Sequence, residues 1–228
     1  MPHNLLSAIA AMAKVATPTQ NEPSIHHPVK PVVTISRDYG SGGDVIATRL
    51  AQRLDVPLYD AHVLKEVSER LDDDPSIVRM LDESFGRAKD MWLYRLFSGK
   101  DVGPDAYRDT LAKVVMSLGR LGGVIIGRGG HVILRDACAM RVRIAGTPEV
   151  CAARMAAQGH GSYHEELTKA RDLNHRRGKF VWDVFSTRLS DANQFDIVIN
   201  TDRMVDFEDA VEMLVVMARA IHGGRVLS

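Results

Sequence analysis

The chain is poor in cysteine: Cys138 and Cys151 are its only two in 228 residues. They form no CxxC pair and no zinc-ligand spacing, which excludes a disulfide scaffold and a zinc ribbon. They read as buried, reduced thiols of a cytoplasmic protein. There is no excess of either charge, because Lys plus Arg and Asp plus Glu both number 29. Proteins that coat nucleic acid carry strongly basic domains, so none is expected as a partner. A local basic pocket for one small polyanion is still compatible with that balance. No apolar run approaches the ~18 residues of a membrane span, so no membrane is expected either. The apolar start, Leu5 to Ala13, has no Lys or Arg before it and makes a poor signal peptide. Metal or disulfide staples are not needed, since a chain this long buries roughly 70% of its unfolded surface.

What is present is a regular alternation of short β-branched runs and amphipathic stretches. Residues 1–30 lack any period and are rich in Pro and polar residues from Thr17 to Pro28, so they read as a loosely docked tail. A domain over 31–228 follows. Val32 to Ser36 suits a buried strand. Val45, Ile46, Leu50 and Leu54 then recur at helical spacing. Further strands are expected at Val56–Asp60, Val124–Ile126, Arg141–Ala145 and Phe195–Asn200. Helices are expected at Pro148–Gln158, Ser162–Arg188 and Asp206–His222. A helical insertion is expected over 62–122, with an apolar face of Met80, Met91, Trp92, Leu93, Leu96 and Phe97. That face is core or a contact between two copies of the chain, and Asp82, Glu83, Arg87 and Lys89 read as its solvated charges. Strands alternating with helices imply a parallel sheet covered on both faces. Ligands in such sheets bind outside the carboxyl ends of the strands.

The loop from Arg37 to Gly43 lies between the first strand and the first helix. Backbone N–H groups in such a turn, together with a helix N-terminus, form an anion site. The residues expected around phosphate are Tyr39, Gly40, Ser41, Gly42, Gly43, Asp44 and Val45. The usual phosphate-loop pattern, G-x-x-x-x-G-K-[ST], is broken in three places. Arg37 stands at the first glycine, Gly43 at the lysine and Asp44 at the hydroxyl. A substitute cation is therefore needed, with Arg37 nearest and Arg128, Arg171, Arg176 and Arg177 as other candidates. Asp38 and Asp44 would repel phosphate unless turned outward or placed on magnesium.

Ile35 to Gly43 (I-S-R-D-Y-G-S-G-G), followed by Ile46-Ala47 and Leu50-Ala51, resembles the loop of the cytidylate kinase-like family. There I-S-R-x-Y-G-S-G-G replaces the lysine-bearing loop. The resemblance continues at Leu58-Tyr59-Asp60, at Val124 to Gly130 and at Asp196 to Thr201, and covers about residues 31–221. Gly129 departs from the G-R-D turn of true cytidylate kinases, and Asn174 and His175 stand near acidic positions of their lid. The resemblance implies a P-loop NTPase-type fold: a parallel five-stranded sheet flanked by helices, with a helical acceptor-site insertion and a basic helical lid over 159–190.

It also implies an ATP- and Mg2+-dependent kinase of a nucleoside monophosphate such as CMP. In that reading Arg128 and Asp60 meet the acceptor and the arginines of the lid neutralise the transferring group. Asn200, Thr201 and Asp202 would lie by the donor base. The alternatives are a nucleotide-binding regulatory or assembly protein without turnover, and a kinase of another small acceptor. Lys169, Arg171, His175, Arg176, Arg177, Lys179 and Arg188 make the lid basic, and Trp182 and Phe185 within it read as packing residues. His160 and His164 are one helical turn apart but lack a third metal ligand.

Overall fold

The computed structural model describes residues 27–60, 62 and 104–224. The expectations for residues 1–26, and for the apolar face and charges of the insertion between 63 and 103, lie outside the described residues. Five strands form one parallel sheet: β1 (Val32–Arg37), β2 (Leu58–Tyr59), β3 (Gly123–Ile126), β4 (Met140–Ala145) and β5 (Ile197–Asn200). Their spatial order is β2-β3-β1-β4-β5. β1 is central, with Val33 opposite Val124 of β3 on one side and Met140 of β4 on the other. The chain leaves β1 toward one edge and later returns to the other side of it. The carboxyl end of β1 therefore sits where the strand order reverses, the place at which parallel sheets open a ligand crevice.

Each face of the sheet follows from a period-two reading of the strands. Val33, Ile35, Val142 and Ile144 pack into one apolar cluster with α1 (Gly43–Leu54) and α6 (Glu208–His222). Ile46, Ala47, Leu50, Ala51 and Leu54 are the buried stripe of α1. Ala210, Val211, Leu214, Val215, Ala218 and Ile221 are that of α6. Thr34 and Ser36 of β1 point the other way. That face is covered by α2 (Pro104–Leu121), which buries Leu111, Val114, Val115 and Leu118, and by the short α3 (Gly130–Ile133).

α4 (Pro148–Ala157) starts with Thr147 as N-cap and Pro148 in its first turn, both favourable there. α5 (Tyr163–Phe185) opens with a capping box in which Ser162 and Glu165 satisfy each other's backbone N–H groups. It runs unbroken for 23 residues. β2 is only two residues long, shorter than the run from Val56 to Asp60 suggests. It is an edge strand with one neighbour, so ladder bonding on one side alone holds it. α3 has no separate sequence signal, being a single turn after the Gly127–Gly129 bend. Among the described residues no helix is long and apolar enough to cross a membrane.

Candidate active site

The loop after β1 is held by its carbonyls. Asp38 O accepts from Ser41 Oγ at 2.9 Å. Gly40 O accepts from the Arg154 guanidinium at 2.7 Å, and the same group donates to Thr201 O at 2.8 Å. Thr201 Oγ1, fully buried, donates to Ser41 O at 2.8 Å. The loop's amides are partly engaged as well, Asp38 N on Ile144 O at 3.0 Å and Ser41 N on Asp38 O at 3.4 Å. Gly42 caps α1 in the left-handed conformation, φ 79°, without any side-chain cap bond. A Cβ there would overlap the Phe207 ring. The first-turn amides of α1 thus meet no capping side chain, the arrangement that favours an anion.

Both acids flanking the loop are paired with arginine. Asp38 Oδ1 accepts from Arg143 at 2.6 Å and its Oδ2 from Gly146 N at 3.3 Å. Asp44 Oδ1 accepts from Arg37 Nε and Nη2 at 3.0 and 2.9 Å. The missing lysine has a steric cause. A Cβ on Gly43 would stand 2.5 Å from Arg37 Cβ and 2.8 Å from its Cγ, far inside the ~3.5–4.0 Å of relaxed carbon contacts.

Arg37, Arg128, Arg176 and Arg177 converge on one cavity of about 280 Å³, with Ser36, Gly127 and Gly129 in its wall and Phe180 and Val181 of α5 above. Among the described residues no acidic one lines it. Arg128 sits in the left-handed region at φ 51°, in the bend after β3, with its guanidinium 5.3 Å from the Phe180 ring centroid. Its Nε is buried without a partner among the described residues. At Gly129, φ 72°, any Cβ would overlap Phe185, so an aspartate would displace that ring. Arg177 donates to Arg37 O at 3.1 Å, and burial, then the charge of Arg37, lower its pKa. Arg176 pairs with Asp172 on its own helix. Asp44 and Asp172 already balance Arg37 and Arg176, so Arg128 and Arg177, which have no carboxylate partner among the described residues, are the charges left to attract an anion.

α5 is tied to the loop at three points. Tyr39 N donates to Asn174 Oδ1 at 2.8 Å, Tyr39 Oη donates to Glu166 Oε2 at 2.6 Å, and Arg177 reaches Arg37 O. Glu166 is 2% exposed, and the Tyr39 hydroxyl holds its carboxyl below the usual range. Burial, then the bond to Glu166, raises the Tyr39 phenol.

The remaining expected site residues lie elsewhere. Arg171 is exposed and pairs with Glu149 at 2.9 Å, outside the cavity. Asp60 does not line the cavity; its Oδ1 accepts from His62 N at 2.9 Å. Asn200 Oδ1 accepts from Asp202 N, Asp202 Oδ1 accepts from Thr147 N, and Thr201 Oγ1 donates to Ser41 O, and none of the three residues lines the arginine cavity. Phe185 packs as expected, but Trp182 is 49% exposed.

Three contributors had no sequence signal. Arg154 looks like any helix-surface arginine, yet it clamps two loops. Arg143 looks like an outward strand residue, yet it neutralises Asp38. His131 is 2% exposed, its Nδ1 3.2 Å from Ser36 Oγ and its ring stacked on Phe195. Burial, then the charges of Arg141 and Arg143, push its pKa down to about 4.

Magnesium, if used, would find hard oxygen donors here, foremost the carboxylate of Asp44, 66% exposed in the first turn of α1. Among the described residues no cluster of three or more His, Cys, Asp or Glu could hold a metal.

A profile of the cytidylate kinase-like family matches residues 32–203, more than half of the chain. Among solved structures, an uncharacterized protein from Eubacterium ventriosum is similar, with 19% identity and a TM-score of 0.66. That match covers 84% of this chain and 99% of that one. Shikimate kinase from Bacteroides thetaiotaomicron matches with 14% identity and a TM-score of 0.45, covering 84% of this chain and 99% of that one. The first of these shares the fold. No curated protein matches the chain.

Proposed function

The chain belongs to the cytidylate kinase-like family, and from that premise we propose that it transfers a phosphoryl group from ATP to a nucleoside monophosphate such as CMP. The observation that carries this reading is the cavity at the start of the glycine loop that Arg37, Arg128, Arg176 and Arg177 line with no acidic residue among the described ones. Phosphoryl transfer needs little covalent help from a protein; positioning and charge stabilisation supply most of it. The loop from Tyr39 to Val45 would hold the donor phosphates. Arg37 would supply the cation that Gly43 cannot. Arg128 would hold the acceptor phosphate, and Arg176 and Arg177 would neutralise the charge that spreads over the transferring group. Asp44 would leave Arg37 as phosphate arrives and offer its carboxylate to Mg2+. Held there, Mg2+ would supply charge neutralisation for the donor phosphates. An acceptor oxygen attacks the γ-phosphorus, the bond to the bridging oxygen breaks, and ADP leaves.

The test is coupled ATP consumption with a panel of monophosphates. Arg128→Ala should lower turnover by about 10²–10³, the usual cost of one preorganised donor. The second reading is a nucleotide-binding protein without turnover. It is favoured by the bidentate hold of Asp44 on Arg37, which keeps the substitute cation engaged. Nucleotide binding with no consumption for any acceptor would select it.

A further inference from the structure

We propose that a second cavity, across α5 from the arginine cavity, receives the base ring of the nucleotide against Gly178 and Trp182. This rests on the reading that the loop takes a nucleotide. The cavity measures about 540 Å³. Leu173, Arg176, Arg177 and Phe180 of α5 face the arginine cavity, whereas Asn174, Gly178 and Trp182 face this one. It adjoins the loop directly: Asp38 forms part of its wall, and Asn174 takes the Tyr39 N–H.

Gly178 is the first clue. Glycine is the poorest helix former after proline, and it stands deep inside the 23-residue helix α5. Its φ is not positive, and apart from its chain neighbours and its own helix backbone no atom of the described residues lies within 4 Å of where its Cβ would be. The glycines at 42, 43 and 129 each abut another side chain; nothing among the described residues requires the bareness of Gly178. A flat ring lying against bare backbone does. Trp182 is the second clue. It follows Gly178 by one helical turn, is 49% exposed and lines the same cavity. Arg188 lies over its ring, the guanidinium carbon 5.2 Å from the centroid. Indole and guanidinium are both planar stacking partners for a base, and neither selects strongly among bases. The third clue is that the loop after β5 is tied to its own fold through Asn200 Oδ1, Thr201 Oγ1 and Asp202 Oδ1.

Calorimetry in magnesium buffer with ATP, CTP and inorganic tripolyphosphate tests this. The wild type should bind both nucleotides more tightly than tripolyphosphate. Trp182→Ala should weaken nucleotide binding roughly tenfold, within the range for one base–aromatic stack, and leave tripolyphosphate unchanged. Gly178→Leu, which supplies a good helix former and fills the slot, should raise the melting temperature while lowering nucleotide affinity. A structural glycine would not move those two readouts in opposite directions. If nucleotides and tripolyphosphate bind wild type equally, or neither variant changes nucleotide affinity, the base site is refuted while the loop reading stands. If wild type binds neither nucleotide nor tripolyphosphate, the loop reading fails and the base site with it.

Discussion

Arg37 and Gly43 exclude each other's alternatives, and that exclusion can be measured. A lysine at 43 would place its Cβ 2.5 Å from Arg37 Cβ and 2.8 Å from Arg37 Cγ. Arg37 cannot retreat easily, because Asp44 holds its Nε and Nη2 and Arg177 binds its carbonyl. Overpacking of this kind costs about 1–3 kcal/mol. Gly43→Lys alone should therefore destabilise by that amount, which for a chain of this length is about 2–4 °C of melting temperature per kcal/mol. Arg37→Gly removes both offending carbons. In that background Gly43→Lys should cost much less, giving a favourable coupling of about 1–3 kcal/mol in a double-mutant cycle. Urea unfolding of the four proteins, with m unchanged, gives the four free energies. Additivity within about 0.5 kcal/mol would refute the steric account. The absence of lysine would then need a purely chemical explanation.

Three further outcomes are expected. His131 is neutral in the fold, with its pKa near 4 against an ordinary 6.5, so the unfolded chain binds the extra proton between those values. Stability contributed at this site is intact above pH 6.5 and falls as pH drops toward 4, by about 3 kcal/mol in all. His131→Gln should flatten that part of the urea-derived pH profile, and an unchanged slope would refute the assignment. Thr201→Val removes a fully buried hydroxyl from Ser41 O and should cost about 1–3 kcal/mol, with faster amide exchange in the loop from Asp38 to Gly42. Tyr39→Phe takes the 2.6 Å donor from the buried Glu166 carboxylate. It should destabilise by about 1.5–3 kcal/mol and speed hydrogen exchange along α5; exchange confined to wild-type rates would show that Tyr39 does not hold this helix.

The sequence already carried the sheet, the order of its strands along the chain and the glycine loop between β1 and α1. Those features are local: a β-branched run, a glycine-rich turn and a helical stripe each show within a dozen residues. The seven-residue offset between Arg37 and Asp44 was visible as a departure from the lysine-bearing pattern, although not as an ion pair. What only the tertiary structure decided depends on residues far apart in the chain. Arg154 and Thr201 grip a loop more than a hundred residues upstream, Arg143 neutralises Asp38, and Phe185 and Phe207 forbid side chains at Gly129 and Gly42. The structure separated Arg171 from Arg176 and Arg177, which one basic stretch had grouped, because successive helical positions turn to different sides of α5. It also exposed Trp182, which composition alone assigns to packing. Periodicity reports which way a residue faces on its own element; what stands opposite is set by how the elements fold against one another.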